Sequence, residues 1–261
     1  MKYLDLINAH AKYGNKPEDI IAHKDLSNVL ENVVIAPWWG HEMYEERDCT
    51  VEKVGKHLYN IIGKNYKFSH IELKAIGSPK MMDEVLTLGV TKCKNIIFVG
   101  SVGSLDESIK IGDIVLPIKS ICGDGASRYL NDNLEDDFGK PFYPDKEMYQ
   151  KLLAVVKRES KLNDVVFHET INFSIDTVFS QFYHIDKIKE LGCKTVEMES
   201  ATAFKCANLA GLNMVAIFCV SDNTIVNKSL LSGRTDKENE YRHKVRYEVI
   251  TKIIEEIFRN N

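Results

Sequence analysis

The sequence predicts an α/β fold: a three-layer sandwich with a central mixed, mostly parallel twisted sheet flanked by helices. Short apolar runs rich in β-branched residues alternate with amphipathic stretches along the 261 residues. That alternation marks strand and helix units wound around a largely parallel sheet. No internal repeat, low-complexity tract or linker interrupts the chain, so residues 1–261 are read as one domain. The expected strands are 32–37, 70–77, 95–102, 112–121, 165–174 and 214–221. The expected helices are 79–90, 146–160, 183–191, 198–210 and the C-terminal segment "DKENEYRHKVRYEVITKIIEEIFRN". In that segment Tyr241, Val245, Val249, Ile253 and Ile257 recur at four-residue steps, an apolar stripe on one helical face. Two stretches, 123–145 and 222–236, have turn chemistry and little period. Long irregular loops in a compact domain are often functional, and both are expected to border the site.

Composition narrows the function classes. The formal net charge is −4 with both signs mixed along the chain. No basic stripe marks a nucleic-acid surface and no acidic block marks a disordered tail, which leaves a small-molecule substrate or a protein partner. Six cysteines (49, 93, 122, 193, 206 and 219) form no CxxC pair and no zinc spacing. Several lie in apolar runs such as "AIFCV", where a thiol behaves as a small hydrophobe. No metal is expected, and a reducing compartment is. The opening "MKYLDLINAHAKYG" carries charge too early for a signal peptide, and no segment reaches the apolar length of a membrane span. A soluble, cytoplasmic protein is the expectation.

Three stretches can carry chemistry. In "NIIFVGSVGSL" an apolar strand runs into Gly100, Ser101, Val102 and Gly103. Glycines there let backbone approach a ligand, and exposed N–H groups with a serine hydroxyl suit an anion or a sugar oxygen. An ordinary strand-end turn would look the same, and the dinucleotide fingerprint is not met. In "TVEMESATAF" Glu197 and Glu199 flank Met198 where a buried strand hands over to a helix that Gly211 can cap. Acids in a first helical turn suit the helix dipole, and they also suit a vicinal diol, since one carboxylate can accept two hydroxyl protons. In "AIFCVSDN" a buried strand ends in Ser221, Asp222 and Asn223, at the carboxyl edge where open α/β sheets place ligands. Asp222 is either a turn cap or a general acid whose pKa burial has raised.

In order and spacing these runs resemble the nucleoside phosphorylase and nucleosidase superfamily, in particular its hexameric branch of uridine and purine nucleoside phosphorylases. The likeness extends from about residue 32 to the C-terminus. Its most specific element is "VEMESATAF"; "IGSP" (76–79), "DGAS" (124–127), "SIDTVF" (174–179) and "VSDN" (220–223) support it. The resemblance implies that Glu199 binds the ribose 2′- and 3′-hydroxyls, that Met198 packs on the sugar and that Glu197 assists. It implies phosphate at Gly100 and Ser101, and protonation of purine N7 by Asp222. It places Phe173 near the aromatic that stacks on the base, and Gln181 at a base-reading glutamine. It further implies phosphate as co-substrate with no other cofactor, and a homo-oligomer, a dimer or trimer of dimers, with sites completed across the dimer interface.

The departures bear on the nucleophile. Phe98 stands where the family carries a phosphate arginine, and "APWWGHEM" (36–43) replaces its "GDPxR" loop. Two charge-assisted contacts, each worth roughly 1.5–3 kcal/mol, are thereby lost. Arg47, Lys56, Lys80 and Arg128 are the candidate replacements. Tyr183 stands where a uracil-reading arginine is expected, which argues for purine over uracil. The expected reaction is phosphorolysis of a nucleoside to free base and (deoxy)ribose 1-phosphate. The alternatives are hydrolysis, with His41 or Glu42 activating water, and a non-catalytic nucleoside-binding protein. Trp38 and Trp39 either belong to the core or an interface or wall the nucleoside cleft. His10 and His23 are candidates for a 5′-hydroxyl contact to a neighbouring subunit, and His184 for a structural role.

Overall fold

The computed structural model describes residues 1–21, 26–229 and 233–259, so His23 lies outside the described residues. Ten strands form one sheet: β1 (Asn32–Ala36), β2 (Cys49–Gly55), β3 (Leu58–Gly63), β4 (Lys67–Glu72), β5 (Asn95–Ser104), β6 (Ile114–Gly123), β7 (Pro141–Phe142), β8 (Phe167–Ile175), β9 (Thr195–Glu197) and β10 (Asn213–Asn223). The helices are α1 (Tyr3–Lys12), α2 (Ser78–Leu88), α3 (Lys146–Asn163), α4 (Val178–Glu190), α5 (Ser200–Ala210), α6 (Asp236–Lys244) and α7 (Thr251–Ile257). A π-helical turn, Val245–Ile250, joins the last two.

The sheet is mixed. Parallel pairing links β4, β1, β5 and β10, and separately β6, β8 and β9. Antiparallel pairing adds β3 and β2 at one edge and joins β10 to β6 and β5 to β9. The strands β5, β9, β8, β6 and β10 therefore close a ring, from which β1, β4, β3 and β2 extend as an open wing.

Side chains leave β5 alternately for two layers, as a strand buried on both faces must. Ile97 and Val99 join a core with Leu152 and Val156 of α3 and with Val245, Val249 and Ile253 of the C-terminal helix. Ile96 and Phe98 join the opposite core with Met81 and Val85 of α2 and Ala203 and Phe204 of α5. A smaller cluster under α4 holds Leu105, Ile121, Phe173, Ile188 and Val196. Among the described residues no helix is long and apolar enough to cross a membrane. Five of the cysteines are buried and all six are free thiols.

The C-terminal stripe is buried as its spacing predicts, Val245, Val249 and Ile253 completely. A four-residue step overshoots an α-helical turn by about 40°, so a strict period of four winds around a straight helix. The wider π turn resets it. The β2–β3 hairpin was not expected. Its turn carries His57 at φ 61 instead of an Asn-Gly or Asp-Gly signal, and β2 puts the charged Glu52 and Lys53 side by side in mid-strand. The strand expected over 70–77 runs from Lys67 to Glu72 and stops where β1 stops, at the pair Ala36–Glu72. Helix α4 starts five residues earlier than its period suggested, because the Thr177 side chain caps it by accepting from Ser180 N–H.

Candidate active site

The site begins at a gap in the ladder. β1 pairs with β5 only as far as Phe98, and β9 takes up the same side at Gly103. Among the described residues, Val99 to Val102 have no strand neighbour on that side. Such a change of neighbour at the carboxyl ends of parallel strands is where α/β sheets bind ligands. The opening is a cleft of about 280 Å³, and Gly100, Ser101 and Gly103 line its floor.

The turn from β9 into α5 supplies two acids, and the structure gives them different work. Glu197 is buried and accepts from Asn172 Nδ2 at 2.8 Å, Ser174 Oγ at 2.6 Å and Ser200 Oγ at 2.8 Å through one oxygen. Its other oxygen accepts the backbone N–H groups of Glu199 and Ser200, both at 2.8 Å. Five donors occupy its lone pairs. Glu197 thus lines the cleft but acts as the cap that fixes the turn, which is why α5 starts at Ser200 instead of Met198.

Glu199 is 5 % exposed and accepts from Gly77 N–H at 2.6 Å. Burial, then the neighbouring charge of Glu197, pushes its pKa up to about 8. Its partner segment, Gly77–Ser78–Pro79, opens α2, and Ser78 Oγ donates to Met198 O at 2.9 Å. Gly77 holds φ 100, a conformation that needs glycine. The "IGSP" run, read from sequence only as a supporting motif, is therefore what holds the carboxylate turn; Ile76 also lines the cleft.

A bulge at the end of β10 aims the third acid. Val220 pairs with Val102 and Asp222 with Gly103, leaving Ser221 as the extra residue. Bulges re-aim side chains in this way. Asp222 lines the cleft, and its Oδ1 accepts from Ser221 Oγ at 2.6 Å. Burial raises its pKa, against the opposing pull of that bond and of Arg234 and Arg242. Gly103 makes room for it, since a Cβ there would stand 3.0 Å from Asp222 Oδ2 and 3.3 Å from Val196 Cγ1.

The walls are apolar. Trp38 and Trp39 both line the cleft, the first 59 % exposed and the second 3 %. Met198, Ile175, Val178 and Gln181 complete it, Gln181 from the first turns of α4. Phe173 does not line the cleft. It is buried in the cluster under α4, its ring against Gly123. It shares a face of β8 with Ile175 but sits two residues, about 6.6 Å, deeper along the strand, and Ile175 takes the cleft position. Tyr183 is 89 % exposed on the outer side of α4, with His184 against its ring edge at 5.1 Å. His10 lines a separate groove beside Leu6 and Leu86. The irregular stretch 123–145 lies behind the site. Asp124 accepts from Thr202 Oγ1 of α5 at 2.7 Å, and Gly125 N–H donates to Asp176 at 2.8 Å. Of the stretch 222–236, Asp222 lines the cleft, and residues 230–232 lie outside the described residues.

None of the four candidate phosphate cations lines the cleft. Arg47 makes a bidentate pair with Glu255 at 2.8 Å, Lys80 pairs with Glu84 at 3.7 Å, and Arg128 pairs with Asp136 at 2.6 Å. Lys56 is exposed in the β2–β3 turn. Phe98 packs edge-on against Phe218 with centroids 4.9 Å apart. His41 and Glu42 also lie off the cleft lining. With Glu72 they offer ligand atoms within 4.8 Å of one another, the one such metal-compatible group among the described residues. Glu72 is already engaged there by Lys74 at 2.8 Å.

Residues 64–258 match the family model described as the phosphorylase superfamily. A DeoD-type purine nucleoside phosphorylase from Clostridium beijerinckii is 28 % identical over 225 residues, covering 82 % of this chain and 86 % of that protein. A second, from an Exiguobacterium species, is 25 % identical over 179 residues, 67 % of this chain and 72 % of that one. The crystal structure of a uridine phosphorylase from Vibrio fischeri superposes with a TM-score of 0.72 at 17 % identity, covering 90 % of this chain and 94 % of that one, a likeness of fold. Since the family match takes in all but residues 1–63 and the last three residues, the chain belongs to the phosphorylase superfamily.

Proposed function

We propose that the protein cleaves the N-glycosidic bond of a nucleoside by phosphorolysis, giving free base and (deoxy)ribose 1-phosphate, with purine preferred to uracil. The observation that carries this reading is the meeting of Glu199, Ser101 and Asp222 in one cleft. Glu199, ionised on binding, accepts hydrogen bonds from the two ribose hydroxyls, and Met198 and the tryptophans cover the sugar. A phosphate oxygen, held at Gly100 and Ser101, attacks C1′ as the C1′–N bond breaks and its electron pair passes to the base. Protonated Asp222 delivers its proton to the base nitrogen, so the base leaves neutral, and the carboxylate recovers a proton from solvent. Stabilising the ribosyl cation from one side and the leaving base from the other lowers the barrier only as charge develops.

The purine preference is supported by the raised pKa of Asp222 and by Tyr183 facing solvent where a uracil-reading arginine is expected. Against hydrolysis stands the absence of its candidate bases, His41 and Glu42, from the residues that line the cleft. A homo-oligomer goes with this reading. The exposed Phe179, Phe182 and Tyr183 form an apolar surface on α4 beside the cleft that supports it. The test is base release from inosine, adenosine and uridine with and without phosphate. Phosphate-dependent release from the purine nucleosides is expected; equal release without phosphate, or none from any substrate, overturns the reading.

A further inference from the structure

A phosphate subsite with no cation is a poor anion site, and the cleft lining contains none. We propose that Arg242 and Arg246 of the C-terminal helix supply the positive half of that subsite, reaching it beside Trp39 and behind Ser101. The inference rests on the phosphorolytic reading and names the residues that replace the missing arginines.

Position comes first. Ser101 is paired with Cys219 in parallel register, so both side chains leave the sheet on one face. That face packs on the C-terminal helix, since Cys219 shares a core with Val245 and Val249. Arg242 lies next to it: a Cβ at Gly112 would stand 3.2 Å from Arg242 N, and Gly112 O accepts from Cys219 Sγ at 3.6 Å. Arg246 stacks its guanidinium 4.7 Å over the Trp39 ring, and Trp39 lines the cleft. Arg246 is carried on the π turn, a form frequent at functional sites.

Chemistry comes second. The Nε atoms of Arg242 and Arg246 are shut off from water and make no hydrogen bond, and among the described residues neither side chain has an ion pair. Ring contacts with Trp39 and Tyr247 (5.0 Å) do not satisfy guanidinium N–H groups. Burial lowers the pKa of Arg246, with the nearby Arg242 charge adding to this and Tyr247 and Glu42 opposing it. Each Nε is a shielded donor without an acceptor on a partly exposed side chain, and Arg242 already acts on the Asp222 carboxyl. An unused donor of this kind favours an incoming anion, and the forked guanidinium fits phosphate.

Arg242→Met and Arg246→Met, with Arg246→Lys as a milder variant, test this by two readouts. One is the phosphate and inosine KM; the other is the Tm rise on adding inorganic phosphate without nucleoside, against a chloride control. Each Met variant is expected to raise the phosphate KM about 10- to 100-fold and to lose the phosphate-induced Tm rise, with the inosine KM within about threefold and Arg246→Lys intermediate. An unchanged phosphate KM and an undiminished Tm rise in both Met variants overturns the assignment. If the wild type releases base equally without phosphate, the phosphorolytic reading fails on its own, and the Tm arm still decides whether the arginines hold the anion.

Discussion

Two buried glutamates at strand ends have opposite fates. Glu72 closes β4 and is 2 % exposed; Glu199 follows β9 and is 5 % exposed. Burial pushes both pKa values upward. At Glu72, hydrogen bonds from Lys74 and His41 outweigh it and bring the carboxyl down to about 2. At Glu199 the neighbouring charge is another carboxylate, and the value rises to about 8. Burial alone does not mark a functional acid. The mark is a buried acid whose surroundings leave it short of donors and which faces a cleft. Glu197, two residues from Glu199, is also pushed upward by burial, but its five donors leave it no free lone pair for a ligand.

The contrast can be broken most sharply at Asp222, the third acid of the cleft. Asp222→Asn is expected to lower kcat for purine nucleosides by about 10²–10⁴-fold, the usual worth of a general acid, while KM changes little; steady-state kinetics on inosine measures it. A comparable kcat would remove Asp222 from the donor-poor class. Next, Glu199→Gln should raise the nucleoside KM by roughly 100-fold, from the loss of charge-assisted bonds to two hydroxyls. Glu72→Gln should leave that KM alone and instead destabilise the fold by roughly 1 kcal/mol in urea unfolding, because the partly exposed Lys74 and His41 lose a charged partner.

A finer test uses pH. The folded pKa of Glu199 lies above its unfolded value near 4.5, so its contribution to stability is complete below pH 4.5 and is lost as pH rises towards 8. Glu72 has the reverse sign: its contribution is present above pH 4.5 and is lost as pH falls towards 2. Glu199→Gln should therefore flatten the wild-type decline between pH 4.5 and 8 by about 1.4 kcal/mol per unit, seen as a variant that gains on the wild type as pH rises. A wild-type slope unchanged by the substitution would mean that Glu199 is not protonated at neutral pH. The smallest effect is a proton count. Diol hydroxyls favour the ionised carboxylate, so nucleoside binding at pH 7 should release about one proton. Calorimetry in buffers of different ionisation heat reads this, and Glu199→Gln should abolish it.

Much of this could be read in the chain itself. The apolar runs at β1, β5, β6, β8 and β10 and the four-residue stripe from Val245 to Ile257 are local patterns that report burial directly. Of the three chemical stretches, those of β5 and β10 reach one cleft because the two strands run parallel and carry them in their last halves, whereas that of β9 arrives through antiparallel pairing with β5.

What the chain could not show was anything set by partners far apart in sequence. The donors that saturate Glu197 come from Asn172 and Ser174, the grip on Glu199 comes from Gly77, and the bulge aiming Asp222 exists only in its pairing with β5. Phe173 and Ile175 share a face, and only the depth of β8 in the sheet chose between them. The engagement of Arg47, Lys80 and Arg128 elsewhere, and the placing of Arg246 on Trp39, were likewise decided by tertiary packing. Residue identity and spacing determine which groups are present and which elements carry them. Whether a group is satisfied depends on what the folded chain brings within about 3 Å of it, and that is a property of the tertiary structure alone.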